Sequence, residues 1–333
     1  MRLASLLPFL FAIALHAQDV HVRVSPDVKT GIEGTTEFPT IQMALDHHPF
    51  AGPGGRVLIE IAPGTYHERL NITQNHPNIT LIGTGHGPED VVITNSLNAS
   101  QAGGTFFTET VEVNGTGFEA DNVTFENSAG NTGQAVAIAV RADRAVFRHC
   151  RFLGYQDTLF ADYGRQYYVD SYIEGAIDFI FGNAAAVFDR VEIHATRPGY
   201  LTAQSRTAPE QSTGYVIVNS KVTSGPEVSA ESDSKRSGFF LGRPWRPYAR
   251  VVFMNTELPA ETRPEGWNNW GKEANEQTAW FGEFGNTGPG AGLALRVSWA
   301  HRLTEKEARP FEPKAFLAGK DHWDPVAAAA KLP

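Results

Sequence analysis

The chain has 333 residues, 41% hydrophobic and 20% charged, and its 37 Asp+Glu against 28 Lys+Arg leave a net charge of −9. That composition supports a large buried core and excludes a disordered chain. The absence of a Lys/Arg cluster argues against nucleic acid as a partner, because phosphates call for a basic patch.

Met1 and Arg2 place one positive charge ahead of the uncharged run Leu6 to Leu15, and Ala17 closes the stretch before Gln18 and Asp19. This layout predicts a secretory signal peptide over residues 1–17 and a mature domain over 18–333, because the apolar run is too short to cross a bilayer of about 30 Å. No later stretch is long and apolar enough to span, so the expected protein is soluble and secreted, extracellular or periplasmic, with no membrane partner. Five N-x-S/T sequons, at Asn71, Asn78, Asn98, Asn114 and Asn122, matter only in a eukaryotic secretory pathway. Phe38 to Leu45 (FPTIQMAL) reads as a helix that caps the end of the domain, with His47-His48 at its close. The 32 Gly and 20 Pro of the whole chain point to many turns and few long helices.

A short pattern then recurs: an apolar run, a polar pair, another apolar residue. It ends at Phe125 (FEADNVTF), Phe152 (AVFRHCRF), Ile173 (QYYVDSYI), Ile193 (AVFDRVEI), Val222 (YVIVNSKV) and Leu258 (VVFMNTEL), in steps of 27, 21, 20, 29 and 36 residues. A period near 20 with insertions is the mark of stacked β coils, each burying its apolar face against its neighbours. Leucine-rich repeats lack support from the Leu spacing, and a sandwich would turn every 8–12 residues. The expected fold is all-β, a single-stranded parallel β-helix. The insertions 195–214 and 223–237 become loops able to wall a groove, and the aromatic run Trp267, Trp270, Trp280 and Phe281 reads either as lining for the far end of that groove or, the favoured reading, as a cover over the last coils. From Leu303 onward the chain reads as irregular, with one short helix at 304–308.

Polar residues stand inside apolar strings at four places: Gln134 in GQAVAIAV, Gln156-Asp157 in GYQDTLF, Asp178 in GAIDFIFG and Arg243 in LGRPW. Gln134 precedes Gln156 by 22 residues and Asp157 precedes Asp178 by 21, each about one coil. Residues one coil apart lie on adjacent strands, about 4.8 Å apart. Two close carboxylates resist ionising together, which divides them into a proton donor and an anion. Arg243 is the candidate that keeps one ionised, and two stacked amides offer N–H donors to a developing oxyanion. The set predicts an ester hydrolase with an aspartate nucleophile. Either glutamine alone also fits a structural polar ladder, but like charges on neighbouring rungs destabilise a sheet and ask for another reason. Cys150 is the only cysteine, and neither H-E-x-x-H nor G-x-S-x-G occurs, so no metal or other cofactor is expected.

The strings GTYHE (64–68), QAVA (134–137), GYQDTL (154–159), DFIFG (178–182) and LGRPW (241–245) occur in the order and near the spacing of the pectin methylesterases, which this chain resembles from about Phe38 to Phe284. The resemblance implies a right-handed parallel β-helix that removes methyl esters from homogalacturonan (pectin), working as a monomer without metal. It implies Asp178 as nucleophile, Asp157 as general acid/base, Gln134 and Gln156 as oxyanion donors and Arg243 as partner of Asp178. Thr105, Trp245, Phe160 and Phe181 match substrate-contacting positions, with coil packing an open alternative for the two phenylalanines. Glu109 departs from the family, which has Ala there. Tyr66 and Glu68 read as braces of the first coils. The rival readings are a lyase or glycosidase on the same scaffold, an esterase or thioesterase acting on a different acyl ester, and a non-catalytic polysaccharide-binding β-helix.

Overall fold

A computed structural model describes residues 18–29, 35–230 and 237–333; the signal-peptide expectation falls on 1–17, outside them. Every strand pairing is parallel, and each coil turns through three faces. The first face stacks strands such as Ala145–Arg148, Arg165–Val169, Ala185–Asp189 and Gly214–Val218. The second carries Thr124–Asn127 and Arg151–Leu153, and the third Val111–Val113, Ile138–Val140 and Leu159–Ala161. Two long strands, Tyr172–Gly182 and Glu192–Gln204, bend from the second face into the third and join them as one sheet.

The sequence repeat is the strand register. Phe125 pairs with Phe152, Phe152 with Ile173, Ile173 with Ile193 and Ile193 with Val222. Their side chains form a buried ladder, joined inside the helix by stacked rings such as Phe147 on Tyr168 (4.8 Å) and Tyr168 on Phe188 (4.7 Å). Each such side chain contributes about 1.5–3 kcal/mol of burial, which no single coil could obtain alone. The polar pairs mark the corner between first and second faces. Asn122, His149, Asp170, Arg190, Asn219 and Asn255 each follow a first-face strand in the left-handed conformation, with φ between 48° and 59°. Asn, Asp and His tolerate that region better than other non-glycine residues; Arg190 is compensated by two hydrogen bonds to Asp170 (2.8 and 3.0 Å).

The N-terminal cap is a helix at Ile41–His47, while Phe38 belongs to a two-residue strand, Glu37–Phe38, that extends the first face. The helix therefore starts three residues later than the apolar pattern indicated, where Thr40 can accept from the Met43 amide. Both carboxylate oxygens of Glu68 accept from the first-turn amides of Ile41 and Gln42, which have no partner within the helix (3.0 Å each), and Tyr66 donates to the Ala62 carbonyl (2.8 Å). The GTYHE string is thus a brace between cap and coil.

At the other end, Thr304 caps the helix Glu305–Ala308, and two further helices, Pro313–Leu317 and Pro325–Ala329, occur where irregular chain was expected. They lay Leu317, Ala329 and Leu332 over Val146, Val187 and Val216 on the outside of the first face. Arg148 and Arg165 clamp this segment through the carbonyls of Leu332 (3.1 Å) and Ala318 (3.0 Å). The outside of the third face is not covered in this way, and the candidate site lies there.

Candidate active site

The corner between second and third faces positions the two aspartates. In GYQDTLF and GAIDFIFG a glycine opens the turn: a Cβ on Gly154 would lie 2.6 Å from the Thr158 hydroxyl, and one on Gly175 would lie 2.3 Å from the Phe179 Cβ. The chain then passes through Asp157 (φ 65°) and Asp178 (φ 52°), both left-handed, before entering the third face. Leu159 pairs with Ile180, and the Asp157 amide donates to the Ile177 carbonyl (3.1 Å), so the aspartates occupy the same place on successive coils. One coil earlier, Gln134 pairs with Gln156, and Gln156 with Ile177. Four of the polar residues singled out from sequence therefore form one column across three coils.

Arg243 comes from a more distant part of the chain, just after the strand Phe239–Gly242. Its Nε and Nη2 donate to the two carboxylate oxygens of Asp178, at 2.8 and 2.6 Å. Its guanidinium is held between the rings of Tyr200 and Trp270, 3.7 Å from each centroid. Tyr200 was not selected from the sequence; of the two readings of the aromatic run, Trp270 stands at the site rather than in the favoured cover, a place that Trp267, stacked on Phe281 at 4.4 Å, does take. Tyr200 lies 43 residues before Arg243, across an insertion, while Trp270 follows it by 27, a coil-length step hidden inside an aromatic run; an arginine needing planar partners was the further signal.

The two carboxyls differ electrostatically. Asp178 is only 6% exposed; burial raises its pKa, and the paired Arg243 opposes the rise. Asp157 is pushed up to about 8, first by burial and then by the charge of Asp178, with Arg243 pulling weakly the other way. The arrangement favours the proton on Asp157, while Arg243 favours the negative charge on Asp178. That is the division of an acid and a nucleophile.

An aromatic ledge runs along the third face beside the column. Phe160 and Phe181 stack at 4.6 Å and are each only 4% exposed. Phe106, 44% exposed, packs on Phe160 (5.0 Å), and Trp245 packs beside Phe181 (6.0 Å). The surface offered to a ligand is therefore mostly Phe106 and Trp245, with Phe160 and Phe181 as their base. Thr105 lies in the short turn Thr105–Phe107 that carries Phe106, and its carbonyl accepts from the Thr108 hydroxyl (2.7 Å). Phe106 is a further residue that the sequence reading did not select.

The Pectinesterase family profile matches residues 27–320. Pectinesterase 31 of Arabidopsis thaliana is 40% identical over 308 residues, covering 89% of this chain and 92% of its own. Pectin methylesterase from carrot superposes with a TM-score of 0.84 at 35% identity, covering 94% of this chain and 96% of that one, and shares its right-handed parallel β-helix. A pectin methylesterase in complex with a hexasaccharide gives 0.73 at 27% identity, over 94% and 99% of the two chains.

Proposed function

The chain belongs to the pectinesterase family and is an esterase that removes methyl groups from pectin; from that premise we propose how its residues divide the work. The carrying observation is that only one of two stacked aspartates is paired with an arginine. Asp178, ionised and aimed by Arg243, attacks the C6 carbonyl of a methyl-esterified galacturonate. The carbonyl π electrons move onto oxygen, where the amide N–H groups of Gln134 and Gln156 receive the charge. Neither glutamine has a side-chain hydrogen bond among the described residues, so both are free to donate.

Collapse of the intermediate breaks the bond to the methoxy oxygen, and Asp157 supplies the proton that lets it leave as methanol. Asp157, now an anion, takes a proton from water. The resulting hydroxide attacks the acyl-enzyme anhydride, and Asp178 departs as a carboxylate, leaving free galacturonate. Each step uses groups of this chain alone, with no metal or cofactor. Phe106 and Trp245, with Phe160 and Phe181 beneath them, offer apolar area to sugar rings, and Thr105 stands at the same flank.

We assign the protein to the secreted compartment on the pattern of residues 1–17, with 18–333 as the catalytic domain. A monomer suffices as the working unit, because all the site residues come from one chain. The test is methanol release from highly methylated pectin in excess EDTA. Release by the wild type, lost in Asp178→Asn with circular dichroism unchanged, supports the assignment. Equal release from the two proteins overturns the nucleophile, and no release from the wild type overturns the substrate.

A further inference from the structure

Glu109, the position at which this chain departs from its family, is buried beneath the flank of the groove. Its carboxylate stands between two arginines, 3.5 Å from Arg141 Nη2 and 4.0 Å from Arg69 Nη2. Arg141 is also bound by Glu112 and lies 3.5 Å from Asp162. Its guanidinium sits over the Phe160 ring, 5.2 Å from the centroid. Arg69 meanwhile donates to the Phe107 carbonyl (2.9 Å) and the Glu109 carbonyl (3.0 Å), fixing the turn that carries Phe106. Three carboxylates and two guanidiniums thus form one network around the Phe106–Phe160 end of the aromatic ledge.

The register places this network along the groove. Glu112 pairs with Ala139, Ala139 with Phe160 and Phe160 with Phe181. Glu112 is therefore two rungs, roughly 10 Å, beyond Phe160 on the side away from Trp245. The other end of the ledge lacks such a ring: Arg246 lies over Trp245 (4.8 Å) and has no carboxylate partner among the described residues. The local negative charge is a property of one flank and not simply of the chain's net charge.

Resting on the pectin reading above, we infer that this flank selects an uncharged, methyl-esterified sugar next to the one being hydrolysed, with Glu112 and Asp162 as specificity-determining residues. The cation of Arg141 is already engaged by three carboxylates and cannot receive a fourth. A neighbouring sugar that has lost its methyl group brings another anion into a ring that carries one net negative charge. A sugar that keeps its methyl group brings an apolar surface to Phe106. At low ionic strength, like charges on the order of 10 Å apart along a partly apolar groove repel enough to shift the preference severalfold.

The test compares kcat/KM on sparsely and highly methylated pectin at low salt, in the wild type and in Glu112→Gln/Asp162→Asn. Both side chains are about one-third exposed. The ratio of sparse to high is expected to rise about three- to tenfold in the double variant. A control, Glu89→Gln/Glu305→Gln, removes the same charge at exposed positions outside the groove and is expected to leave the ratio at its wild-type value. An unchanged ratio in the double variant, or an equal rise in the control, overturns the inference. Should the double variant not fold, Glu112→Gln alone carries the test, with about a threefold rise expected and no rise overturning it. Absence of methanol release by the wild type from either pectin instead overturns the pectin reading itself.

Discussion

The two corners of the coil use the same backbone state for different ends. Between first and second faces, left-handed residues are tied into local pairs: Arg190 to Asp170, His149 to Asp121 at 3.2 Å, and Asn219 to Asp189 at 3.1 Å. Between second and third faces, Asp157 and Asp178 take that conformation too, but Asp157 is influenced only by burial and by the charges of Asp178 and Arg243. The first corner satisfies its polar groups and continues the stack. The second leaves the half-buried Asp157 carboxyl without a partner among the described residues and raises its pKa, so the cost of desolvating an acid is concentrated where the proposed reaction moves a proton.

Substitution separates the corners. Removing the proposed nucleophile has the largest expected effect: Asp178→Asn should lower kcat for methanol release by about 10⁴-fold or more while the fold survives. Gln156→Ala is expected to lower kcat by about 10²–10³-fold with little change in KM, since the amide acts on charge that appears only in the transition state; a change confined to KM would remove it from that role.

The pH dependence follows from Asp157. In its proposed role of proton donor it must be protonated, so the rate should fall about tenfold per pH unit above its pKa of about 8. Its effect on stability has the opposite sense to a paired carboxylate. Between about pH 4 and 8 the folded state holds a proton that the unfolded state has released, so stability declines as pH rises through that window. Asp157→Asn needs no proton and should exceed the wild type in stability by a margin that grows to at most about 5 kcal/mol near pH 8, with activity lost. Denaturant titrations at pH 4 and pH 8 measure it, and an equal difference at both would be the wrong result.

The smallest effect belongs to the structural corner. Asn255 is exposed and left-handed, so Asn255→Gly should shift stability by less than about 0.5 kcal/mol, whereas Asn255→Val should cost about 1–2 kcal/mol. Activity per folded molecule should be unchanged in both. Loss of activity there would show that the corners are coupled.

What could be read from the sequence was whatever repeats at coil spacing. The ladder from Phe125 to Val222 and the column of Gln134, Gln156, Asp157 and Asp178 follow from offsets of 20–29 residues, because a constant offset means adjacent strands. Arg243 was found by its company, a lone cation in an otherwise apolar string. Contacts made across insertions were not legible. Tyr200 against Arg243, 43 residues apart, and Phe106 over Phe160, 54 apart, join residues whose separation carries no period, while Arg141–Asp162 and Arg243–Trp270 stand about one coil apart but carry no repeated residue type that would have paired them. Of the C-terminal helices, the one at 304–308 was expected, and the two beyond it were missed for a related reason: both begin with proline, Pro313 and Pro325, and are too short for an apolar stripe to declare them.

The stack itself has a consequence for how the protein fails. Coils that touch only their neighbours behave as a line of nearest-neighbour units, which open from the ends inward. The aspartate corner belongs to the middle of that line, with coils before Gln134 and after Gly182 on either side. Fraying of the outermost strands leaves the reacting groups in place. Loss of activity on heating should therefore coincide with the last structural transition rather than the first.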